Sequence, residues 1–252
     1  MAGWRELDEE LKVWADLGRR AEFWWRDDDA TEPSAALDRL IRIGLSSAVP
    51  LALAVIPASL HPDLPACLNV APGVDVVQHG YRHRNYAPAG CKSSEFPVSR
   101  NHQEMFQEIA DGWSLMGPFA RARKVFVPPW NRISDQVVQM LISSGYDGVS
   151  TFGPRKPGNV SCVNAHVDLL NWRGNRRFVG EEAALDQMLR HLQNKRCGAH
   201  DDREPTGLLS HHRDHDAACW KYVETLFDWT RDRQVVVWQS VGQVFDCKIV
   251  RD

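Results

Sequence analysis

The 252-residue chain has no CxxC pair, no GxGxxG or GxxxxGK[ST] run, and no apolar stretch near the ~18 residues of a membrane span. The first absence argues against zinc-ribbon and thioredoxin-like sites, the second against dinucleotide and P-loop chemistry, the third against a transmembrane helix. Cys67, Cys91, Cys162, Cys197, Cys219 and Cys247 are scattered, which predicts reduced thiols rather than a disulfide framework. Lysine is scarce, 7 against 23 arginines; the arginine fork suits carboxylates and phosphates, and composition bias explains the ratio equally well. A net charge of −3 argues against an electrostatic grip on nucleic acid. The first 20 residues are charged throughout and offer no apolar core for a signal peptide, so a cytoplasmic protein without a membrane partner is expected. Oligomeric state is not readable from these features.

What is present is ordinary globular composition, 43% hydrophobic and 25% charged, enough for a sizeable core in one large α/β domain or two small ones. Leu7, Leu11, Trp14 and Leu17 recur at helical spacing before Gly18, which predicts a helix over 5–17. Short apolar runs then predict strands at 22–26, 49–56, 74–78, 124–127, 148–151, 166–170, 207–210 and 235–239. Helical patterns fall between them at 33–43, 101–116, 134–144, 181–194 and 216–231. Seven or eight such βα units with no Pro/Ser-rich linker predict one parallel sheet, closed or partly open as a barrel, with a doubly wound open sheet as the competitor.

Five segments at predicted strand ends carry chemistry. FWWRDDDA, residues 23–30, puts three carboxylates side by side, an arrangement that a metal ion would neutralise and that a solvated loop would also tolerate. In QHGYRH, His79 and His83 are four apart; on a helical turn that spacing puts two imidazoles on one face, although two surface histidines give the same pattern. KVFVPPWNR has a rigid double proline followed by Trp130, HVDLLNW supplies Asp168 and Trp172, and GLLSHHRDHD runs an apolar strand into His211 and His212. Each has an innocent reading as cap, loop or core. Their shared position at strand ends favours a site, because in a parallel barrel those ends meet on one face.

The ordered set DD, HxxxH, proline turn, DxxxW and LxH resembles the polysaccharide deacetylase (NodB-homology) family over roughly residues 22–240. The resemblance implies a distorted (β/α) barrel of seven to eight parallel strands, with 1–252 a single catalytic domain behind an N-terminal helix within 1–20. It implies metal-dependent hydrolysis of a C–N amide bond, most simply N-deacetylation of an N-acetylated sugar. A cytoplasmic amidase on a small or cyclic amide, or a sugar-binding relative without turnover, are the alternatives. Carried over by position, Asp28 is the general base and Asp29, His79 and His83 hold a divalent ion, with Asp27 and Asp28 as the shifted register. The ion is zinc, with nickel, cobalt or iron able to use the same donors. His211 is the general acid, Asp168 orients it, and Leu209, Trp172, Pro129 and Trp130 shape the substrate pocket, the last through its N–H. Where the family's proline turn begins with an arginine that contacts the catalytic aspartate, this chain has Val127; Arg26 or Arg132 is the candidate replacement, Arg26 the nearer in sequence.

Overall fold

The computed structural model describes residues 3–156, 159, 161–172 and 174–246. Helix α1 (Trp4–Asp16) buries Leu7, Leu11 and Trp14 and ends where Gly18 turns left-handed at φ 67°. Strand β1 (Ala21–Ala30) follows, and the chain then alternates through α2 (Ala35–Ser47), β2 (Leu51–Val55), α3 (Leu64–Asn69), β3 (Val74–His79), α4 (His102–Leu115), β4 (Ala122–Val127), α5 (Asp135–Ser143) and β5 (Gly148–Val149). The second half adds β6 (Val167–Asp168), α6 (Glu181–Arg196), β7 (Thr206–Ser210), α7 (Ala217–Arg231), β8 (Val236–Gln239) and α8 (Val241–Asp246).

All strand pairs are parallel, in the order β5-β4-β3-β2-β1-β7-β6, with β8 also on β1. The long β1 forks: its first half pairs with β8 and its second half with β7. Between β5 and β6 the ring is completed by single bridges, Val149 to Cys162 and Phe152 to Ala165, so this is a barrel with one irregular side. Strand alternation separates two cores. Phe23, Trp25, Leu51, Leu53, Val74 and Val76 face the helices, whereas Trp24, Ala52, Ala54, Val77, Val125 and Val127 fill the lumen with Phe245 of α8 against Trp24. The two adjacent tryptophans, each 1% exposed, are therefore core, which excludes them from stacking on a substrate.

Candidate active site

The aspartates were expected just beyond a strand, and the structure corrects this: β1 continues through Asp27, Asp28 and Asp29. Pleating explains how adjacent carboxylates coexist. Asp27 faces away from the lumen, where its oxygens accept from Ser210 Oγ (2.6 Å) and the His212 N–H (2.9 Å) and lie 2.5 Å from His212 Nδ1. Asp28 faces in, its two oxygens 2.9 and 3.0 Å from Nε and Nη2 of Arg26. The same guanidinium donates to Ser150 Oγ and Asn131 Oδ1, both at 2.6 Å. Asp29 would alternate outward, but a bulge and a left-handed φ of 71° turn it back to the cleft. There its Oδ1 lies 3.0 Å from His79 Nε2 and 3.3 Å from His83 Nε2.

The two histidines do not share a helical turn. His79 ends β3, Gly80 reverses the chain at φ 56°, and His83 is itself left-handed at φ 55°. A Cβ on Gly80 would lie 2.1 Å from Glu95 Oε2 and 2.6 Å from Pro129, so only glycine fits. Glu95, fully buried, accepts the N–H groups of Tyr81 and Arg82 at 3.1 and 2.7 Å and fixes the loop. Among the described residues six non-glycine positions have positive φ, and five of them, Asp29, His83, Trp130, Asn131 and Arg176, line one cleft. Strain of this kind, about 1–3 kcal/mol per residue, concentrates where geometry serves function.

Three of the sequence assignments are corrected. Asp168 does not hydrogen-bond His211: its oxygens accept from Trp172 Nε1 (2.9 Å) and Leu170 N–H (3.0 Å). The link is indirect, through the Trp172 ring set edge-on to His211 at 4.7 Å, and among the described residues His211 Nδ1 is buried without a hydrogen-bond partner. Leu209 and Pro129 are buried beneath the cleft, and Leu170 stands in the wall instead. Val127 contributes only its backbone carbonyl, 2.9 Å from His79 Nδ1, and Arg132 turns to the Ser93 carbonyl, so Arg26 alone engages Asp28.

The cleft encloses about 900 Å³ and is walled by Asp28, Asp29, His79, His83, Trp130, Trp172 and His211 among others. Burial pushes the Asp29 carboxyl up, but the His79 hydrogen bond and the neighbouring histidine charges win and hold it well below the usual range. Burial pulls His79 down, and the Asp28 and Asp29 carboxylates more than reverse this. His83 is lowered by burial and by His79, and Asp168 is raised by burial.

A carbonyl only accepts, so His79 Nδ1 carries a proton and donates it to Val127, and Nε2 faces the Asp29 carboxylate, either protonated and donating to it or free to bind a metal ion in place of that proton. Such a pair is favourable only with a cation between, a proton or a metal ion. A second cluster that sequence reasoning missed, His166, His191 and Glu204, has the opposite polarity. There the Gly207 N–H donates to His166 Nδ1, which leaves the proton of the neutral ring on Nε2, 3.4 Å from Glu204. His166 Nε2 and His191 Nε2 are both buried and, among the described residues, neither makes a hydrogen bond.

No family model and no curated protein matches the sequence. Solved structures do match. A peptidoglycan N-acetylglucosamine deacetylase superposes with TM-score 0.60 at 12% identity, covering 93% of this chain and 96% of that one. A family 4 acetyl xylan esterase from Clostridium thermocellum, in complex with a cobalt ion, gives 0.57 at 14% over 91% and 93%. A pseudoenzyme of carbohydrate esterase family 4 from Bacillus anthracis gives 0.57 at 14% over 90% and 66%. At these identities the likeness is one of architecture: the chain has the fold of the polysaccharide deacetylases of carbohydrate esterase family 4.

Proposed function

We propose that the protein is a metal-dependent hydrolase of an acylated amine, acting as a deacetylase on an N-acetylated sugar. The observation that carries this reading is the cluster of Asp29, His79 and His83, with His79 held in the tautomer that presents Nε2, beside a separate carboxylate clamped by Arg26. These donors fit a divalent ion with open positions, zinc or another first-row metal. When bound, such an ion polarises the acyl carbonyl and acidifies water.

The chain's own groups supply the proton transfers. Asp28 takes the proton of the attacking water, whose oxygen bonds the acyl carbon. The Trp130 N–H, carried on a left-handed turn at φ 56°, meets the developing oxyanion. His211 passes a proton to the nitrogen as the C–N bond breaks, releasing acetate and the free amine. Arg26 orients Asp28, and Asp168 acts one step removed by fixing the Trp172 ring against which His211 packs.

The experiment is acetate release from N-acetylated sugars by metal-loaded protein, compared with Asp28→Asn and His211→Ala. Each substitution is expected to lower turnover by about 10²–10⁴-fold. Turnover unchanged by either would remove that residue's role. Hydrolysis of a cyclic amide without sugar hydrolysis would move the substrate class, and no hydrolysis of either would leave a binding protein with this fold.

A further inference from the structure

The turn that carries Trp130 also presents a side chain for which the proposed chemistry has no use. Asn131 lines the cleft together with Asp28, Asp29, His79, His83 and Trp130. The Trp130 ring lies 4.5 Å from that of His83, so this turn borders the candidate metal donors. Trp130 and Asn131 are both left-handed at φ 56°, a region that suits glycine best and asparagine next. The amide of Asn131 has a single orientation. Its Oδ1 lies 2.6 Å from Arg26 Nη2, and a guanidinium only donates, so the oxygen faces Arg26 and the NH2 group points elsewhere. Among the described residues that NH2 group donates to nothing. Arg26 itself is fully buried and each of its nitrogens is engaged: Nε faces Asp28 Oδ1 at 2.9 Å, Nη1 donates to Ser150 Oγ and the Thr151 carbonyl, and Nη2 to Asp28 Oδ2 and Asn131 Oδ1. One nitrogen therefore sets the carboxylate of Asp28 and the amide of Asn131 side by side.

We propose that Asn131 is a further catalytic residue, whose Nδ2–H donates to the acyl oxygen of the substrate and pairs there with the Trp130 N–H. The assignment rests on the hydrolase reading above. Water that gives its proton to Asp28 attacks from beside that carboxylate, which brings the acyl group next to the amide that Arg26 holds there. Asp28 and His211 account for the protons that move, and the acyl oxygen is the atom that gains negative charge and calls for donors. Asn131 makes and breaks no covalent bond and keeps both its protons. Because Arg26 grips the amide oxygen before substrate arrives, the donor needs no reorientation as charge develops, the condition under which such a hydrogen bond lowers a barrier. A glycine would adopt this turn with less strain but would bring no donor.

The test compares metal-loaded wild type with Asn131→Gly and Asn131→Asp. Both replacements tolerate a left-handed backbone; the first removes the side chain, and the second keeps an oxygen for Arg26 while removing the NH2 group. Acetate release from the N-acetylglucosamine trimer is the turnover arm. The expected result is a kcat lower by about 10²–10³-fold in both variants with KM within about threefold, the pattern of a contact made in the transition state. An anchoring role alone would spare Asn131→Asp, and an effect of added charge alone would spare Asn131→Gly. Wild-type kcat in either variant therefore overturns the proposal and leaves the hydrolase standing, as does a loss confined to KM. The binding arm is calorimetry with a methylphosphonamidate analogue of N-acetylglucosamine, tetrahedral at the acyl position. Its affinity is expected to fall in both variants while that of N-acetylglucosamine holds. If the wild type turns over no sugar, the hydrolase reading fails and this arm decides: weaker analogue binding in both variants sustains the donor, and equal or absent binding overturns it.

Discussion

Asp27, Asp28 and Asp29 are chemically identical neighbours with three different surroundings. Asp27 is a buried partner of His212 on the helix side of β1, so Asp27→Ala strands an imidazole and a serine hydroxyl. Breaking such a pair costs about 3–5 kcal/mol, which urea unfolding would register, and a loss under 1 kcal/mol would show that the pair is not structural. Asp28→Asn keeps the shape and removes the proposed base, so metal affinity is expected to persist while turnover is lost. The sequence presented the three residues as a run with two possible registers. The pleat and the bulge at Asp29 give them different surroundings, and neither leaves a mark in residue type. Glu95 was invisible for a similar reason: a lone glutamate 16 residues past the end of β3 carries no signal until the loop folds back onto it.

At the scale of elements, hydrophobic runs made the strands legible, and all eight expected strands exist within a few residues of their expected bounds. The misplacement was at the functional end of β1, where carboxylates read as a strand terminus because hydration normally favours them there. Arg26, Ser210 and the histidines supply that compensation from the fold itself. Helices α3 and α8, six residues each, were too short to show a period. The HxxxH spacing pointed to convergence for the wrong reason, since a glycine turn rather than a helix brings the rings together. Gly80→Ala tests this. The added methyl collides with Glu95 and Pro129 at positive φ, so a destabilisation of at least ~2 kcal/mol and loss of metal affinity are expected from denaturation and calorimetry. Wild-type affinity in that variant would mean that His83 is placed by something other than this turn.

Across the whole molecule the barrel's irregular side between β5 and β7 depends on Glu204, which accepts the N–H groups of Arg155 and Asn164 at 2.9 Å each. Burial pushes its carboxyl up from 4.5 to about 7. A raised carboxyl binds its proton more tightly folded than unfolded, so its contribution is full below the unfolded value and is lost as pH rises towards 7. Stability is therefore expected to fall between about pH 4.5 and 7, by up to ~3 kcal/mol from this group. Glu204→Gln should flatten that slope in thermal unfolding, and an unchanged slope would assign it elsewhere. No described helix is long and apolar enough to cross a membrane.

Every step proposed above depends on the barrel's strand ends assembling a divalent-metal site from Asp29, His79 and His83. Calorimetric titration of chelator-stripped protein with zinc tests it most directly, alongside His79→Ala and Asp28→Asn. One equivalent bound by the wild type, loss of binding in His79→Ala, and retention in Asp28→Asn are the expected results. No binding by the wild type, or binding indifferent to His79, would contradict it.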